Sequence, residues 1–274
     1  MIAKGSSIFQ LNVLLVVTSV IFATNKYTST ISALKIKCIE KEREALLNQK
    51  REFKDYNGRF SSWRADDEHK DCCLWQGVGC DNVTGHIIKL DIGGGHDCFS
   101  APVSGRINNS LLKLRHLKYL DLSCNGFIYQ LPEFIGSFTK LKYLNLSNNF
   151  FDGEIPTHLA NLTELETLDL SGRENTLHSR NLGWLCQFHK LRYLDLTNVN
   201  LTMATDWLEL VHKLPLIEKV SMSECSLPEV ANILRSSLMN SSRACLSTLG
   251  LSGNSLFIFN IPLVVQLQQQ PQRH

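Results

Sequence analysis

The chain has 274 residues, 43% of them hydrophobic and 20% charged, with a formal net charge of +2. That balance belongs to an ordinary folded protein and excludes a disordered one. No run of five or more Lys/Arg occurs anywhere, so nothing argues for nucleic acid as a partner.

Residues 1–23 read as a secretory signal peptide. Lys4 supplies a positive start, Ile8 to Phe22 is an apolar run broken only by Gln10, Asn12, Thr18 and Ser19, and Ala23 is a small residue at a cleavage point. The run is short for a bilayer crossing, which takes about 20 residues, so cleavage is expected over an uncleaved anchor. Residues 24–37 would then open the mature chain.

Residues 38–80 have the makings of a disulfide-bonded helical cap. Glu42 to Lys54 carries Ala45, Leu46, Gln49 and Phe53 at helical spacing with charges between them, and Trp63 and Trp75 supply bulk to lie over the next unit. Asp66-Asp67-Glu68 is expected in a solvated loop. Cys38, Cys72, Cys73 and Cys80 make bridges possible in three connectivities. Adjacent Cys72 and Cys73 cannot readily bridge each other without strain.

From 81 to about 260 one apolar pattern recurs. Leu117-Lys-Tyr-Leu120-Asp-Leu122-Ser-Cys-Asn125 aligns with Leu141-Lys-Tyr-Leu144-Asn-Leu146-Ser-Asn-Asn149. Copies starting at 87, 165, 191, 217 and 246 bring the total to seven, at spacings of 24 to 30. In each copy alternation puts two apolar residues on one face and polar ones on the other. One short strand cannot bury that face alone, whereas parallel stacking about 4.8 Å apart fuses the pairs into a continuous core. The fold class is therefore an α/β repeat solenoid with short parallel strands on its concave face. Asn125, Asn149 and Asn254 stand three positions past the last strand leucine, where an amide can bond backbone groups freed by the turn. Arg173, Val199 and Cys225 take that position in other copies and should be satisfied differently. Phe151-Asp-Gly153-Glu-Ile155-Pro156, then Leu159 and Leu162, forms a second half in which Gly and Pro set a bend.

After Leu256 the pattern ends. Residues 261–274 form a Gln-rich, non-repeat tail whose apolar part contains Pro262 and is too short to span a bilayer. Leu249, Leu251 and Leu256 are then expected to be left uncovered.

The string Asp71-Cys-Cys-Leu-Trp75-Gln-Gly77-Val-Gly-Cys80, followed by Asn82-Val-Thr84-Gly85-His-Ile-Ile-Lys-Leu90, closely resembles the N-terminal cap of plant leucine-rich-repeat receptors. The Gly-Glu-Ile-Pro form resembles the plant-specific type of that repeat. Within the group the chain is most similar to receptor-like proteins that perceive fungal xylanase and related molecules in immunity, from about residue 38 to 256. The resemblance implies an extracellular recognition domain in defence signalling at the plasma membrane. Its partners would be a protein, peptide or glycan ligand and a co-receptor, with no cofactor. Full members carry many more repeats, a membrane span and sometimes a kinase, so the chain resembles a truncated member. The pairing we expect is Cys38–Cys72 and Cys73–Cys80. A soluble wall inhibitor similar to the polygalacturonase-inhibiting proteins is the alternative, as is an inactive remnant.

The concave face is the candidate binding site, because strand residues between core leucines all project there at repeat spacing. Tyr119, Tyr143 and Tyr193 share one position, interrupted by Thr167 and followed by Lys219. Asp121, Asn145, Asp169 and Asp195 form the next row. Rings beside acceptors suit a peptide, a protein loop or an oligosaccharide. Six sequons stand at Asn82, Asn108, Asn145, Asn161, Asn200 and Asn240. A glycan on Asn145 would obstruct the face, so that one is expected to be empty. The nine histidines are scattered without metal-ligand spacing, and Gly93-Gly94-Gly95 lacks a phosphate-loop pattern. No enzyme is expected. Cys186, within Leu182…Trp184-Leu185, is expected in the core.

Overall fold

The computed structural model describes residues 38–94, 98, 102–174, 176–229 and 246–255. The segments 1–23 and 24–37, Asn240, Cys245, Leu256 and the tail 261–274 lie outside the described residues.

In chain order the cap holds α1 (Glu40–Arg51), β1 (Phe53–Lys54) and β2 (Val78–Cys80). The repeats hold β3 (Ile87–Asp91), β4 (Ser104–Gly105), β5 (Tyr119–Asp121), β6 (Gly126–Gln130), β7 (Tyr143–Asn145) and β8 (Phe150–Glu154). They continue through β9 (Thr167–Asp169), β10 (Leu177–His178), β11 (Tyr193–Asp195), α2 (Trp207–Lys213), β12 (Lys219–Ser221) and β13 (Thr248–Gly250).

The long sheet has the order β2-β3-β5-β7-β9-β11-β12-β13. Every repeat strand pairs in parallel with the next, and only β2 is antiparallel to its neighbour. Register places Leu90, Leu120, Leu144, Leu168, Leu194, Val220 and Leu249 in one row. None of the seven exceeds 5% exposure. A fully buried leucine contributes about 1.5–3 kcal/mol against exposure, so this row and its neighbour (Ile92, Leu122, Leu146, Leu170, Leu196, Met222) account for much of the stability. Leu249, expected to be uncovered, is in fact buried, because β13 packs its inward side chain onto β12.

The turn asparagines form a ladder along the sheet. Asn149 Nδ2 donates to the carbonyls of Leu122, Leu146 and Ser147, and its Oδ1 accepts from Phe127 N–H. Asn125 does the same one repeat earlier, donating to Ile92 and Leu122 and accepting from Val103 N–H. Each amide thus bridges two repeats in a place closed to water. Cys225 substitutes for the amide: its thiol donates to Leu196 O at 3.0 Å. Val199 fills its slot as a buried apolar residue, and Arg173 reaches the carbonyls of Asn148 and Cys98.

A second sheet, β1-β4-β6-β8-β10, runs through the second halves of the repeats, where the sequence indicated only a bend. Phe127, Phe151 and Leu177 point inward from it. Gly153 adopts φ 82°, and Tyr129 takes the same slot one repeat earlier at φ 79°, a conformation that costs a non-glycine residue about 1–2 kcal/mol. The Tyr129 ring is exposed and covered on one face by the Arg106 guanidinium, 4.5 Å from its centre. Gly105 lets the cap strand β1 dock: a Cβ there would sit 2.1 Å from Glu52 O.

The opposite side is built from short 3-10 turns at Asn109–Lys113, Glu133–Ser137, Thr157–Asn161 and Gly183–Gln187, then α2. In the fourth turn Leu182, Leu185 and Phe188 face inward at a spacing of three, as a 3-10 helix requires. That leaves Cys186 exposed, which corrects the expectation of a core position.

The cap helix begins two residues before the expected Glu42 and stops at Arg51, so Phe53 leaves the helix for β1 and stacks on Phe60 and Phe127. Ala45, Leu46 and Gln49 are buried as one face. Gln49 is there for its amide, which donates to Arg106 O and accepts from Asn108 N–H. Glu42, 3% exposed, accepts from Ile87 N–H and meets His86 Nδ1 at 2.8 Å. Trp63 and Trp75 stack over the first repeat. Disulfides join Cys38 to Cys72 and Cys73 to Cys80. A third joins Cys98 to Cys124.

Candidate functional site

The outward side of the long sheet presents its polar residues in register. One row runs Lys89, Tyr119, Tyr143, Thr167, Tyr193, Lys219 and Thr248. The next runs Asp91, Asp121, Asn145, Asp169, Asp195, Ser221 and Gly250. The alternation that sends leucines inward sends these residues outward, so the strip and the core are products of one pattern.

Within the strip the rings and carboxylates organise one another. Tyr119 and Tyr143 stack at 4.2 Å and 3° between planes. Lys89 Nζ lies 4.5 Å from the Tyr119 ring centre and 3.0 Å from Asp91. Both tyrosine hydroxyls donate to Asp121 Oδ2, at 3.4 and 3.3 Å. Ser123 donates to Asp121 through both N–H and Oγ. Asp121 is therefore only 8% exposed, and its carboxylate holds the two rings. Tyr193 stands apart across Thr167, with its hydroxyl on Asp195 at 3.1 Å. Lys219 is exposed at the far end of the row.

Burial sets the protonation of the strip. It pushes the Tyr119 and Tyr193 hydroxyls well above their ordinary values, assisted by Asp121 and Asp195 respectively, so the rings remain donors. Burial raises the Asp169 carboxyl to about 6; hydrogen bonds from Ser171 oppose the rise and the Asp195 and Asp121 charges add to it. Asp169 has no cation beside it among the described residues.

The edge of the strip is a charge ladder. Lys142 pairs with Glu166 at 2.7 Å, Lys190 with Glu164 at 2.6 Å, and Arg192 with Glu218. All are exposed and contribute little to stability.

The sequons fall in different environments. Asn82 and Asn161 are exposed; Asn108 and Asn200 are half-buried, their Oδ1 atoms accepting from Ser110 N–H and Thr202. Asn145 alone of the described five lies in the strip, its Nδ2 donating to the Tyr143 hydroxyl at 3.3 Å.

The sequence reading of the site began at Tyr119 and omitted three parts of it. Lys89 opens the first row and Asp91 the second; the register of the weak first copy, Ile87…Leu90-Asp-Ile92, carried that signal. Arg59, from the cap, lines a cavity of about 630 Å³ at the end of the strip together with Phe60, Gln76, Lys89, Asp91 and Gly93. No local pattern marked it. Among the described residues no His, Cys, Asp or Glu cluster could hold a metal, and no helix is long and apolar enough to cross a membrane.

Residues 39–81 match the leucine rich repeat N-terminal domain and residues 115–174 match the leucine rich repeat. Receptor-like protein EIX1 of Solanum lycopersicum is 35% identical over 82% of this chain. The chain spans only 23% of that relative's length. Among solved structures, PEPR1-AtPEP1 superposes with a TM-score of 0.62 at 25% identity, covering 80% of this chain and 29% of that one. The BIR3–SERK2 complex of Arabidopsis thaliana gives 0.52 at 25% identity, covering 81% and 96%. Residues 39–81 and 115–174 thus match the leucine-rich-repeat N-terminal domain and the leucine-rich repeat, and the chain is similar to the plant receptor-like proteins.

Proposed function

We propose that this chain is the recognition part of a receptor-like protein, working at the plant cell surface or in the space outside it in defence perception. It binds a protein or peptide ligand, and with it a co-receptor, through noncovalent contacts on the outward strip of the long sheet, and it catalyses nothing. The observation that carries this is the stacked Tyr119–Tyr143 pair held by the buried Asp121. Rigid aromatic faces already ordered by the protein lose little entropy on binding, as binding hot spots require. Tyr143, Asn145, Asp169, Tyr193, Asp195 and Lys219 continue the surface. The kinship with receptor-like proteins, and the resemblance to ectodomains solved as PEPR1-AtPEP1 and BIR3–SERK2, support the partner class.

The test uses the secreted chain against immobilised fungal xylanase and fungal polygalacturonase. Xylanase capture that falls at least tenfold in Tyr143→Ala and Tyr193→Ala, but not in Glu133→Ala on the opposite side, is the expected result. Capture indifferent to the tyrosines, or clear inhibition of polygalacturonase, overturns it.

A further inference from the structure

The cavity at the end of the strip differs from the strip in one respect: it holds unpaired donors. Arg59 is half-buried, and burial lowers its affinity for the proton while the Asp55, Asp91 and Asp121 charges oppose the fall from beyond ion-pair distance. Of its five guanidinium donors, one meets Asn125 Oδ1 at 3.0 Å. No carboxylate lies within ion-pair distance of it among the described residues; the Asp91 carboxylate in the same cavity is taken by Lys89.

The backbone beside that pair also differs from the later repeats. In β5, β7, β9 and β11 the strip residue accepts from the N–H two positions on: Ser123 to Asp121, Ser147 to Asn145, Ser171 to Asp169 and Thr197 to Asp195, at 2.9–3.0 Å. In the first repeat Asp91 does not accept from Gly93, whose N–H finds no acceptor among the described residues. Gly93 also stands where the later repeats carry a hydroxyl residue, so no side chain covers its backbone. A Cβ there would come within 2.8 Å of Asp121 Oδ1.

We propose that this cavity receives a carboxylate of an acidic peptide ligand, with the Arg59 guanidinium and the Gly93 N–H as its donors. The inference rests on the strip being the ligand surface. A guanidinium presents paired donors matched to a carboxylate, and one that is half-buried with no carboxylate in direct contact among the described residues gains from receiving one. Lys89 connects the two regions: it lines the cavity, and its ammonium lies over the Tyr119 ring. A chain seated on the tyrosines can therefore place an acidic side chain at Arg59.

The probe is fluorescein-labelled hexaglutamate, measured by anisotropy on the secreted chain, with hexaglutamine and hexagalacturonate in parallel. Hexaglutamate is expected to bind at least tenfold more tightly than the other two. Arg59→Gln should abolish that preference. Because Arg59 also holds Asn125, Gln76→Glu is the companion variant: it adds a negative charge at an exposed lining residue with no side-chain bond in the fold, and should weaken hexaglutamate several-fold. Equal binding of hexaglutamate and hexaglutamine, or wild-type affinity in both variants, overturns the proposal. Preference for hexagalacturonate overturns it in favour of an acidic glycan. If Tyr143→Ala abolishes xylanase capture while Arg59→Gln and Gln76→Glu bind hexaglutamate as wild type does, the cavity is refuted and the strip stands. Loss of hexaglutamate binding in the cavity variants, with capture indifferent to the tyrosines, refutes the strip instead.

Discussion

Replacing Asp169 with asparagine should stabilise the protein at neutral pH. Ser171 donates to Asp169 Oδ1 from N–H at 3.0 Å and from Oγ at 2.8 Å, and an asparagine oxygen accepts both. What the substitution removes is a carboxylate desolvated beside Asp195 and Asp121. Its folded value of about 6 against an ordinary 3.8 means that the unfolded chain releases this proton first. Between those values the unfolded state holds fewer protons, so stability falls as pH rises through the window and the whole penalty stands above it. At about 1.4 kcal/mol per pH unit the gap sets a ceiling of about 3 kcal/mol, and partial access of water brings the expected gain to about 1–2 kcal/mol. Urea unfolding at pH 7.5 and pH 4 measures it. The gain should be present at pH 7.5 and shrink to a few tenths of a kcal/mol at pH 4, by the same linkage. An equal gain at both, or a loss at pH 7.5, refutes the argument that desolvation dominates this site.

The turn ladder gives a larger effect of opposite sign. Asn149→Ala strands the Leu146 carbonyl and the Phe127 N–H in a dry interior, while Asn125 and the Cys124 N–H still serve the Leu122 and Ser147 carbonyls, and should cost about 2–4 kcal/mol in the same assay; a loss below about 1 kcal/mol would mean that water replaces the amide. Cys225 has its thiol pushed up to about 12 by burial, so it should resist iodoacetamide in the native protein while exposed Cys186 reacts, as peptide-level mass spectrometry would reveal. Gly105→Ala places a methyl group against Glu52 O and should lower the urea midpoint by the equivalent of about 2 kcal/mol or more, with faster hydrogen exchange in β1. Glycopeptide analysis should find Asn82 and Asn161 occupied and Asn145 bare, since its amide is engaged by Tyr143; a glycan at Asn145 would remove the strip as a binding face.

The alternation of apolar and polar residues by itself determined the long sheet. Period two in seven copies leaves one register in which every leucine meets another, so the rows Lys89 to Thr248 and Asp91 to Gly250 follow from aligning the copies. The amide slots at Asn125, Asn149 and Asn254 followed for the same reason: a turn that frees backbone groups at a fixed offset calls for the same partner each time. What only the tertiary structure decided lies wherever residues distant in sequence meet. The second sheet forms because stacking on the first sets Tyr129 opposite Phe151, though neither segment alternates cleanly. Cys186 faces water because its turn is a 3-10 helix, whose period of three no local composition announces. Asp121 is buried and Asp195 only half-buried, although both occupy the same motif position, because only Asp121 has two tyrosines folded over it. Arg59 reaches the strip from a cap loop whose position is set by stacked tryptophans and a glutamate buried against the first repeat. Periodicity records contacts between equivalent residues; it holds no information about a contact made once, and the cavity that ends the strip is made of such contacts.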